Sequence, residues 1–596
     1  MILQDLAAYY ERLADDPEEN VAGAGFQSKE IAFVVVLRPD GSLAGIDDTR
    51  YLEGKKKRVR VYKVPREEKR TIKVIPNLLW DNPAYVFGEE AVKKGKEPRK
   101  PKRLAEMRAA FVQRIREAFP EPVADPGVAA VLAFLNSDQA GLRQHPLWPE
   151  LLESGLNLSF RLEGEVGLVC QGPAVRAALA TSPDQDRQPG LCLVSGRREP
   201  IARLHTAIKG VWGGNSRGGD IVSFNKPAFC SQGKEQGDNS PVGLTAEFAY
   251  TTALNHLLRK DSPQRMQVGD ASTVFWAAQA NPMEGIFGAM MGGDEVDGLP
   301  VTLDNVMAIF NAPRTGRPPL RDDPTGFYVL GLSPNAARIA VRFWYRGSVA
   351  EISRNLLAHF QDLEIVRAPH DKPSLSIFRL LTALAVLGKA DNIPPNLAGK
   401  LYESIIKGLP YPASLLPAAL TRLRAEREIT HPRAALIKAW LNRRARYYDL
   451  PEKELTVALD LENQNVGYRL GRLFAVLERA QELAQPGINA TIRERFYGAA
   501  SATPVVAFPR LLKLKNHHLA KIENPGVVVK LEKLLGEISG GLDAAVGFPS
   551  RLDLADQGRF AIGYYHQRQD FFKKRAQAED LAEASDTAQS AAVAAE

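Results

Sequence analysis

The segment 326-GFYVLGLSPNAARIAVRFWYRGSVAEISRNLLAHFQDL-363 contains both patterns that set the fold class. Residues 326–346 predict a strand, a Ser-Pro-Asn turn and a second strand. Apolar residues then recur at helical spacing, which predicts a helix over 349–363. Upstream, 103–119 predicts a helix and 211–225 a glycine-rich loop entering a strand. We therefore predict a mixed α+β architecture for the N-terminal part.

From about Lys372 onward, strand signals become rare and helical periodicity dominates. Short proline or glycine breaks separate most segments, as between neighbouring helices of a bundle. The predicted helices span 374–390, 413–429, 433–446, 468–484, 489–501, 505–522, 527–542 and 551–576. The predicted fold class is therefore an α+β N-terminal part followed by an all-α helical-bundle C-terminal part. We divide the chain into an α/β recognition domain (1–371), a helical domain (372–575) and an acidic, Ala-rich tail (576–596) that is expected to be disordered.

The composition is that of an ordinary globular protein. The 596 residues are 45% hydrophobic and 25% charged. The longest apolar runs stop short of the ~18–20 residues that cross a bilayer, and the acidic, amphipathic N-terminus is unlike a signal peptide. Cys170, Cys192 and Cys230 are dispersed, without CxxC spacing, which argues against a disulfide scaffold and a structural zinc site. We therefore expect a cytoplasmic protein with no membrane span, metal or cofactor.

The positive charge is concentrated in one part of the chain. The whole chain carries a net charge of +7. Residues 51–103 alone contain 17 Lys/Arg and 7 Asp/Glu, a net charge of +10, with clusters at 55-KKKRVRVYK-63 and 93-KKGKEPRKPKR-103. Such a segment is typical of a polyanion-binding surface, which binds phosphates without reading sequence. The alternative is a solvated, charged loop.

The sequence lacks the motifs of several enzyme classes. It contains no GxxxxGK[ST] phosphate loop and no HExxH. His370 and Asp371 form a lone pair in 369-PHDKP-373, and three acids cluster in 292-GGDEVDG-298. Neither has the spacing of a metal or calcium site. We predict that the protein is not an enzyme.

A cationic stripe is predicted on the strand 337-ARIAVRFWYR-346. In a strand, Arg338, Arg342, Trp344 and Arg346 share one face with Ala340, while Ile339, Val341, Phe343 and Tyr345 share the other. Arginines bind phosphates as planar forks, and a tryptophan can stack on a base. The stripe is therefore a candidate nucleic-acid surface, and the alternative is an ordinary solvent face with one exposed tryptophan.

Six blocks of the sequence together resemble one family. They are 78-LLWDNPAYVFG-88, 191-LCLVSGRREPIARLHTAIKGV-211, 223-SFNKPAFCSQGKEQGDNSPV-242, 248-FAYTTALNHLL-258, 331-GLSPNAARIAVRFW-344 and 468-YRLGRLFAVLERAQ-481. In order and spacing they resemble the large subunit of the type I-C CRISPR surveillance complex (Cascade), the Csd-one or Cas-eight-c family. The blocks span nearly the whole chain, and their combination is specific although each alone is weak.

The resemblance implies a non-catalytic role in RNA-guided DNA recognition. Such a subunit lies at the 5′ end of the guide RNA and joins the backbone subunits and the 5′-handle-binding subunit. It inspects the protospacer-adjacent motif in double-stranded target DNA, aids R-loop formation and recruits the helicase-nuclease. Base pairing with the guide reads the target, while protein reads the short flanking motif.

Candidate DNA contacts lie in the basic segment and in the loop 226–239. Lysines and arginines are chosen for phosphates, and asparagines and glutamines because amides can discriminate base edges. The candidates are Lys55, Lys56, Lys57, Arg58, Lys73, Asn77, Asn82, Gln232, Lys234 and Gln236. The resemblance does not fix which of them reads the motif.

The helical C-terminus resembles the separate small subunit of related complexes, which an internal translation start can release. No Met follows Met307, so a GTG or TTG start is required, and Val457 is our preferred site. The region 457–575 would then correspond to the small subunit. A path for the displaced strand is predicted along its bases, Arg469, Arg472, Arg510, Lys513, Lys515 and Lys521. The alternative for these residues is an ordinary solvated helix surface.

Two other functions stay open at the level of sequence. One is a metal-dependent nuclease with an unfamiliar site that uses His370, Asp371 and the acids at 294–297. The other is a stand-alone structural DNA-binding protein, which would need no guide RNA. Cleavage of DNA by the isolated chain with Mg²⁺ or Mn²⁺ would favour the first of these.

Overall fold

The computed structural model describes most of the chain, in two compact units. The described residues are 1–16, 21, 23, 25–54, 56–68, 70, 74–91, 99–120, 125–180, 189–293, 295–296, 298–316, 318–488, 490–542 and 547–572. The first unit comprises Met1–Lys209 and Ser216–His256. The second comprises Gly210–Asn215 and the residues from Leu257 onward.

The first unit combines helices with short strands. Its helices are α1 (Ile2–Ala14), α2 (Pro83–Val86), α3 (Pro101–Ala118), α4 (Pro126–Asn136), α5 (Ala140–Arg143), α6 (Trp148–Ser154), α7 (Pro173–Ala180) and α8 (Leu244–Leu257). Its strands are β1 (Phe26–Glu30), β2 (Phe33–Leu37), β3 (Leu43–Asp48), β4 (Arg50–Glu53), β5 (Lys56–Val59), β6 (Val61–Pro65), β7 (Trp80–Asp81), β8 (Leu158–Leu162), β9 (Pro189–Leu191) and β10 (Arg198–Pro200).

A four-stranded sheet in the order β3-β2-β8-β7 forms the centre of the first unit. Strand β2 reads FVVVL and is buried at every position, as expected of a strand covered on both faces. It pairs antiparallel with β3 and parallel with β8. Helices α3 and α4 cover the sheet through Phe111, Ile115 and Val131. Two antiparallel ribbons, β1–β6 and β4–β5, extend from this core.

The second unit is built from one sheet and a large set of helices. Its strands are β11 (Arg265–Val268), β12 (Ala271–Ala277), β13 (Glu295–Val296), β14 (Leu299–Pro300), β15 (Gly326–Asn335) and β16 (Arg338–Ser348). Its helices are α9 (Met283–Gly292), α10 (Leu303–Asn311), α11 (Val349–Leu363), α12 (Ile377–Leu384), α13 (Pro395–Ile406), α14 (Leu415–Glu426), α15 (His431–Tyr447), α16 (Val466–Ala484), α17 (Ile492–Ala502), α18 (Pro504–Leu519), α19 (Pro525–Gly540) and α20 (554–572).

The second sheet has the antiparallel order β11-β12-β15-β16. One face carries Phe275, Phe327 and Phe343 into a hydrophobic cluster that continues through the following helices. Helix α11 starts directly after β16 and is capped by Ser348, whose side chain accepts from the Glu351 N–H while Glu351 reaches back to the Ser348 N–H.

Helix α16 is the central helix of the C-terminal bundle and is buried along most of its length. It crosses α20 at glycines. A Cβ atom on Gly471 would lie 2.0 Å from the Phe560 carbonyl oxygen, and one on Gly563 would lie 2.1 Å from the Tyr468 carbonyl oxygen. The two backbones are therefore in direct contact, which any side chain larger than hydrogen would prevent.

These observations confirm the predicted fold class, an α+β N-terminal part with helices dominating the C-terminal part. The strand predicted within 211–225 is wrong: the structure has only an isolated bridge between Ile208 and Gly219 there. Helix α13 was not predicted.

The domain ranges 1–371 and 372–575 stay a prediction, and the boundary at 372 lies inside the second unit. The tail 576–596 lies outside the described residues.

Within the described part of the chain, no helix combines the length and apolar character needed to cross a bilayer.

Candidate nucleic-acid interface

The hairpin β4–β5 presents part of the predicted basic cluster. Lys57 and Arg58 are exposed on β5. Lys57 Nζ lies 3.0 Å from Glu150 Oε1, and Arg50 lies 2.7 Å from the same oxygen. These cations lower the pKa of the Glu150 carboxyl. An intramolecular carboxylate therefore neutralises part of the positive charge that the sequence predicts for this segment.

For three other lysines that were predicted to contact DNA, the structure describes no side chain. Lys55 and Lys73 lie outside the described residues, and Lys56 is placed only as a backbone position of β5.

Asn77 and Asn82 flank a buried carboxylate. Asp81 accepts from the backbone N–H groups of both, each at 2.9 Å. Arg70 donates to both Asp81 carboxylate oxygens and stacks on the Tyr85 ring at 4.1 Å. Burial raises the pKa of Asp81, and Arg70 and the two N–H groups oppose that rise.

The two asparagine amides have local structural roles. Asn77 is 1% exposed, and its Oδ1 accepts from the Glu68 N–H. Asn82 caps α2, with Oδ1 accepting from the Ala84 N–H. The half-buried Asn82 retains some access, whereas Asn77 cannot meet a base edge in this conformation.

The loop 226–239 holds Gln232, Lys234 and Gln236 on an ordered framework. Asn239 Nδ2 donates to the carbonyl oxygens of Lys234 and Gln236, at 3.2 and 3.1 Å, and its Oδ1 accepts from the Ser231 N–H at 3.0 Å. Gln232 and Lys234 are exposed, and Gln236 is half-buried.

Backbone strain accompanies this loop. Gln232 has φ of +52° and Gln236 of +47°, in the left-handed region that costs an L-residue about 1–2 kcal/mol. Gly237 approaches the 202–203 backbone so closely that a Cβ would lie 2.0 Å from the Ala202 carbonyl oxygen. Non-glycine residues in such conformations occur disproportionately at functional sites. Gln232 is exposed whereas Gln236 and Asn82 are half-buried, so Gln232 is the most accessible amide among the candidates.

The predicted stripe on β16 is partly retained. Arg342 and Arg346 are exposed, Arg338 and Trp344 are half-buried, and Arg342 pairs with Asp270 at 2.8 Å. Trp344 stacks on Tyr328 with ring centroids 5.9 Å apart and planes 11° apart. The tryptophan is thus held by a neighbouring ring rather than projecting freely.

A β-bulge changes the other face of β16. The register with β15 shifts between Gly331 and Leu332, so that Arg342 has no direct cross-strand partner. Val341, which strict alternation places on the same face as the buried Phe343, is 42% exposed as a result. This expectation was wrong because a bulge interrupts strict alternation.

The predicted displaced-strand path divides into buried and accessible residues. Arg469 and Arg472 are 8% and 3% exposed. Arg469 Nε donates to the Asn463 carbonyl oxygen at 2.8 Å, and Arg472 Nε donates to Gln567 Oε1 at 3.2 Å. Burial lowers the pKa of Arg472. Both arginines are buried and hydrogen-bonded within the second unit, and they are not accessible to a strand.

The accessible bases of this path lie on and just beyond α18. Arg510, Lys513 and Lys521 are exposed, and Lys515 is half-buried. Arg510 and Lys513 are three residues apart and therefore lie on one helix face. Arg510 also lies over the Phe496 ring, at 5.4 Å.

Val457 lies between α15 and α16 and is 45% exposed. Its carbonyl oxygen accepts from the Val366 N–H at 2.8 Å. The five helices α16–α20 all follow this residue, so a product starting there would contain the whole bundle around α16.

The residues of the nuclease alternative do not form a metal site among the residues that the structure covers. His370 is exposed, and Asp371 Oδ2 accepts from the Ala368 N–H. Asp294 and Asp297 lie outside the described residues. No group of three or more His, Cys, Asp or Glu residues is arranged to hold a metal ion within the described ranges.

Comparison with known protein families finds a match over nearly the whole chain. Residues 6–572 match the family described as CRISPR-associated protein (Cas_Csd1). The chain belongs to this family. The match includes all six blocks that carried the resemblance, and it confirms the predicted relation to the large subunit of type I-C systems. No curated protein matches the chain significantly.

In this Cas_Csd1 protein, two candidate nucleic-acid-binding residues form ion pairs with acidic side chains far away in the sequence, which the local sequence could not predict. Glu150 is 93 residues from Lys57, and Asp270 is 72 from Arg342. Nothing in the sequence near each acid marks it as the partner of a distant base. The Asn82 cap, in contrast, was readable from Asn-Pro at a helix start.

Proposed function

We propose that this chain is the non-catalytic large subunit of a type I-C RNA-guided surveillance complex. It binds double-stranded target DNA, recognises the protospacer-adjacent motif, aids R-loop formation and recruits the helicase-nuclease. The observation that supports this most directly is the Cas_Csd1 match over 6–572. The proposal places the protein in the cytoplasm, with the guide RNA, the backbone subunits and the 5′-handle-binding subunit as partners.

The described residues suggest a division of labour at the DNA. The exposed Lys57 and Arg58 supply sequence-independent attraction for phosphates. Gln232 and Gln236 supply amides that can donate to and accept from base edges. Opening of the duplex starts locally, because unstacking one base step costs a few kcal/mol, and pairing with the guide then extends it.

The C-terminal bundle contributes a second part of this function. Arg510, Lys513 and Lys521 form the accessible part of the proposed displaced-strand path. A translation start at Val457 would release the same bundle as a separate small subunit of 140 residues, or about 15 kDa by proportion with the full 65.4 kDa. Expression of the native gene, with and without a synonymous change at codon 457, tests this: the short product must disappear with the change.

The central experiment is reconstitution. The complex is assembled with guide RNA and backbone subunits, with or without this chain, and its binding to duplex DNA is measured with a correct and an altered flanking motif. We expect motif-dependent binding only when the chain is present. Equal target binding without it would contradict the proposal. Cleavage of DNA by the purified chain alone with Mg²⁺ or Mn²⁺ would contradict its non-catalytic part.

A further inference from the structure

A cleft of about 180 Å³ opens in the second unit where α10 and α15 begin and α11 ends. Its walls include the apolar side chains of Leu303, Phe360, Ile365 and Leu375. The surface that a ligand could touch is mostly polar. Polar groups in such a pocket fix the orientation of a ligand, and the volume suits one planar ring system.

The polar groups of the cleft comprise both acceptors and donors. Asp304, in the first turn of α10, and Glu364, directly after α11, are two carboxylates at its exposed rim. They are close enough that Asp304 contributes to raising the pKa of Glu364, after the larger effect of burial. Arg367 lines the same cleft and uses one N–H on the Asp371 carbonyl oxygen at 3.1 Å, which leaves further donors of its guanidinium.

His431 provides an independent sign that the cleft is incomplete without a ligand. It lines the cleft at the start of α15 and is 5% exposed. Its Nδ1 has no hydrogen-bond partner among the described residues. A buried polar atom left in this state is costly, so a protein rarely retains one without a reason.

We propose that this cleft binds a single guanine base, unstacked from a nucleic-acid strand. Asp304 and Glu364 accept hydrogen bonds from the N1–H and N2–H₂ donors of the base, and Arg367 donates to O6 and N7. The inference deepens the function proposed above and rests on it for the source of the base. A pocket that reads an extruded base by hydrogen bonds to its edge is an established mode of nucleic-acid recognition.

The choice of guanine follows from the carboxylates. Only guanine presents two adjacent donors on its Watson–Crick edge. Adenine and cytosine each place a ring-nitrogen acceptor there, which an ionised carboxylate repels. Thymine places its single donor between two carbonyl oxygens. Arginine, in turn, is the commonest partner of guanine O6 and N7. A base that leaves one of these charged groups without its hydrogen bond binds more weakly.

The test uses the full-length chain with mononucleotides, so it requires neither guide RNA nor partner subunits. Calorimetric titration compares dGMP with dAMP, dCMP and dTMP. We expect saturable 1:1 binding of dGMP, with the other three at least about 10-fold weaker, as the loss of a hydrogen bond to a charged group predicts. Equal binding of all four, or no binding of dGMP, would overturn the proposal.

Variants separate the cleft from nonspecific binding. Glu364→Gln and Asp304→Asn lie at the exposed rim and are expected to fold, and each should weaken dGMP binding about 10-fold or more. Glu532→Gln, an exposed acid on α19, is the matched control and should change nothing. dIMP lacks the N2 amino group, so wild-type protein should bind it more weakly than dGMP. An unchanged dGMP affinity in both rim variants would refute the assignment.

A failure of the guanine proposal can be distinguished from a failure of the proposed function. Should dGMP not bind while the assembled complex still requires this chain to find its target, only the guanine cleft is refuted. Should the complex find its target without the chain, the proposed function fails whatever dGMP does.

Discussion

Lys57 Nζ and Glu150 Oε1 form an ion pair at 3.0 Å between strand β5 and helix α6. Both side chains are about half exposed, at 54% and 44%. An exposed pair of this kind adds little to the free energy of unfolding. It leaves Lys57 in place on the surface, where a DNA phosphate can compete with Glu150 for it.

Charge reversal at Lys57 should weaken DNA binding without regard to sequence. Each lost phosphate contact reduces the slope of log K against log salt by about 0.9, so Lys57→Glu should lower affinity and flatten that slope. Binding of the assembled complex to correct and altered targets across a salt series measures this. Lys400→Glu, on the exposed side of α13, is the control with the same change in charge. An unchanged salt slope in Lys57→Glu would contradict the contact.

Removal of the competing acid should have the opposite effect. Glu150→Gln keeps the shape of the side chain and releases Lys57 and Arg50 from its charge. We expect DNA affinity at low salt to rise, and the gain to vanish at high salt because exposed charges are screened. A decrease in affinity would mean that Glu150 positions Lys57 for DNA rather than competing for it.

Substitutions of Gln232, whose backbone is strained, can separate the effect of this residue on stability from its effect on motif recognition. Gln232→Gly removes the amide and relieves φ of +52°, so thermal stability should stay equal or rise by up to about 1 kcal/mol. If the amide reads a base edge, discrimination between correct and altered motifs should fall at the same time. Gln232→Asn, which keeps an amide and tolerates this conformation, should retain more discrimination. Full discrimination in Gln232→Gly would exclude the side chain as a reader.

The glycine crossing of α16 and α20 should not tolerate a methyl group. A Cβ at residue 471 would lie 2.0 Å from the Phe560 carbonyl oxygen, so Gly471→Ala must push the helices apart. We expect a loss of about 3 kcal/mol or more, seen as a lower melting temperature. Gly498→Ala in α17 has nothing within 4 Å and should gain up to about 1 kcal/mol. Equal effects of the two substitutions would contradict the close approach.

Acid should destabilise the second unit through buried histidines. Burial lowers the pKa of His566 and of His359 to about 3 from the usual 6.5. His566 lies beside Tyr468, and Lys438 lowers its pKa further, whereas Asp460 opposes this. Below pH 6.5 the unfolded chain therefore binds more protons than the folded one, and stability falls as pH decreases toward 3.

The melting temperature as a function of pH measures this effect. At pH 5 each buried histidine should cost about 2 kcal/mol relative to neutral pH. His566→Asn should reduce the dependence below pH 6.5, whereas His370→Asn, an exposed site, should leave it unchanged. A flat profile between pH 7 and pH 4 in the wild type would contradict the assignment.

Much of the fold was predictable because its elements have strong local patterns. The strand β2 follows from the continuous apolar run FVVVL, and the helices α11 and α16 follow from apolar periodicity. Helix α13 carried a readable signal as well, since Pro395 occupies its first turn. The strand predicted within 211–225 failed because a strand needs a partner, and the sequence of one segment does not specify whether another will pair with it.

The candidate site was predictable in composition but not in accessibility. Arg469 and Arg472 lie on a helix whose periodicity indicates one polar face, yet the neighbouring helices of the bundle bury both. Asn77 was chosen for its amide, which the structure uses to bind the Glu68 N–H. Which polar side chains remain exposed depends on packing between segments far apart in sequence, and no local pattern reports that.

The backbone contact between Gly471 and Phe560 also has a consequence for synthesis. Because α20 comprises the last described residues of the chain, it leaves the ribosome after every other element of the bundle. Helix α16 must therefore keep an open groove until α20 has been synthesised, so the C-terminal bundle closes only once its last helix has left the ribosome.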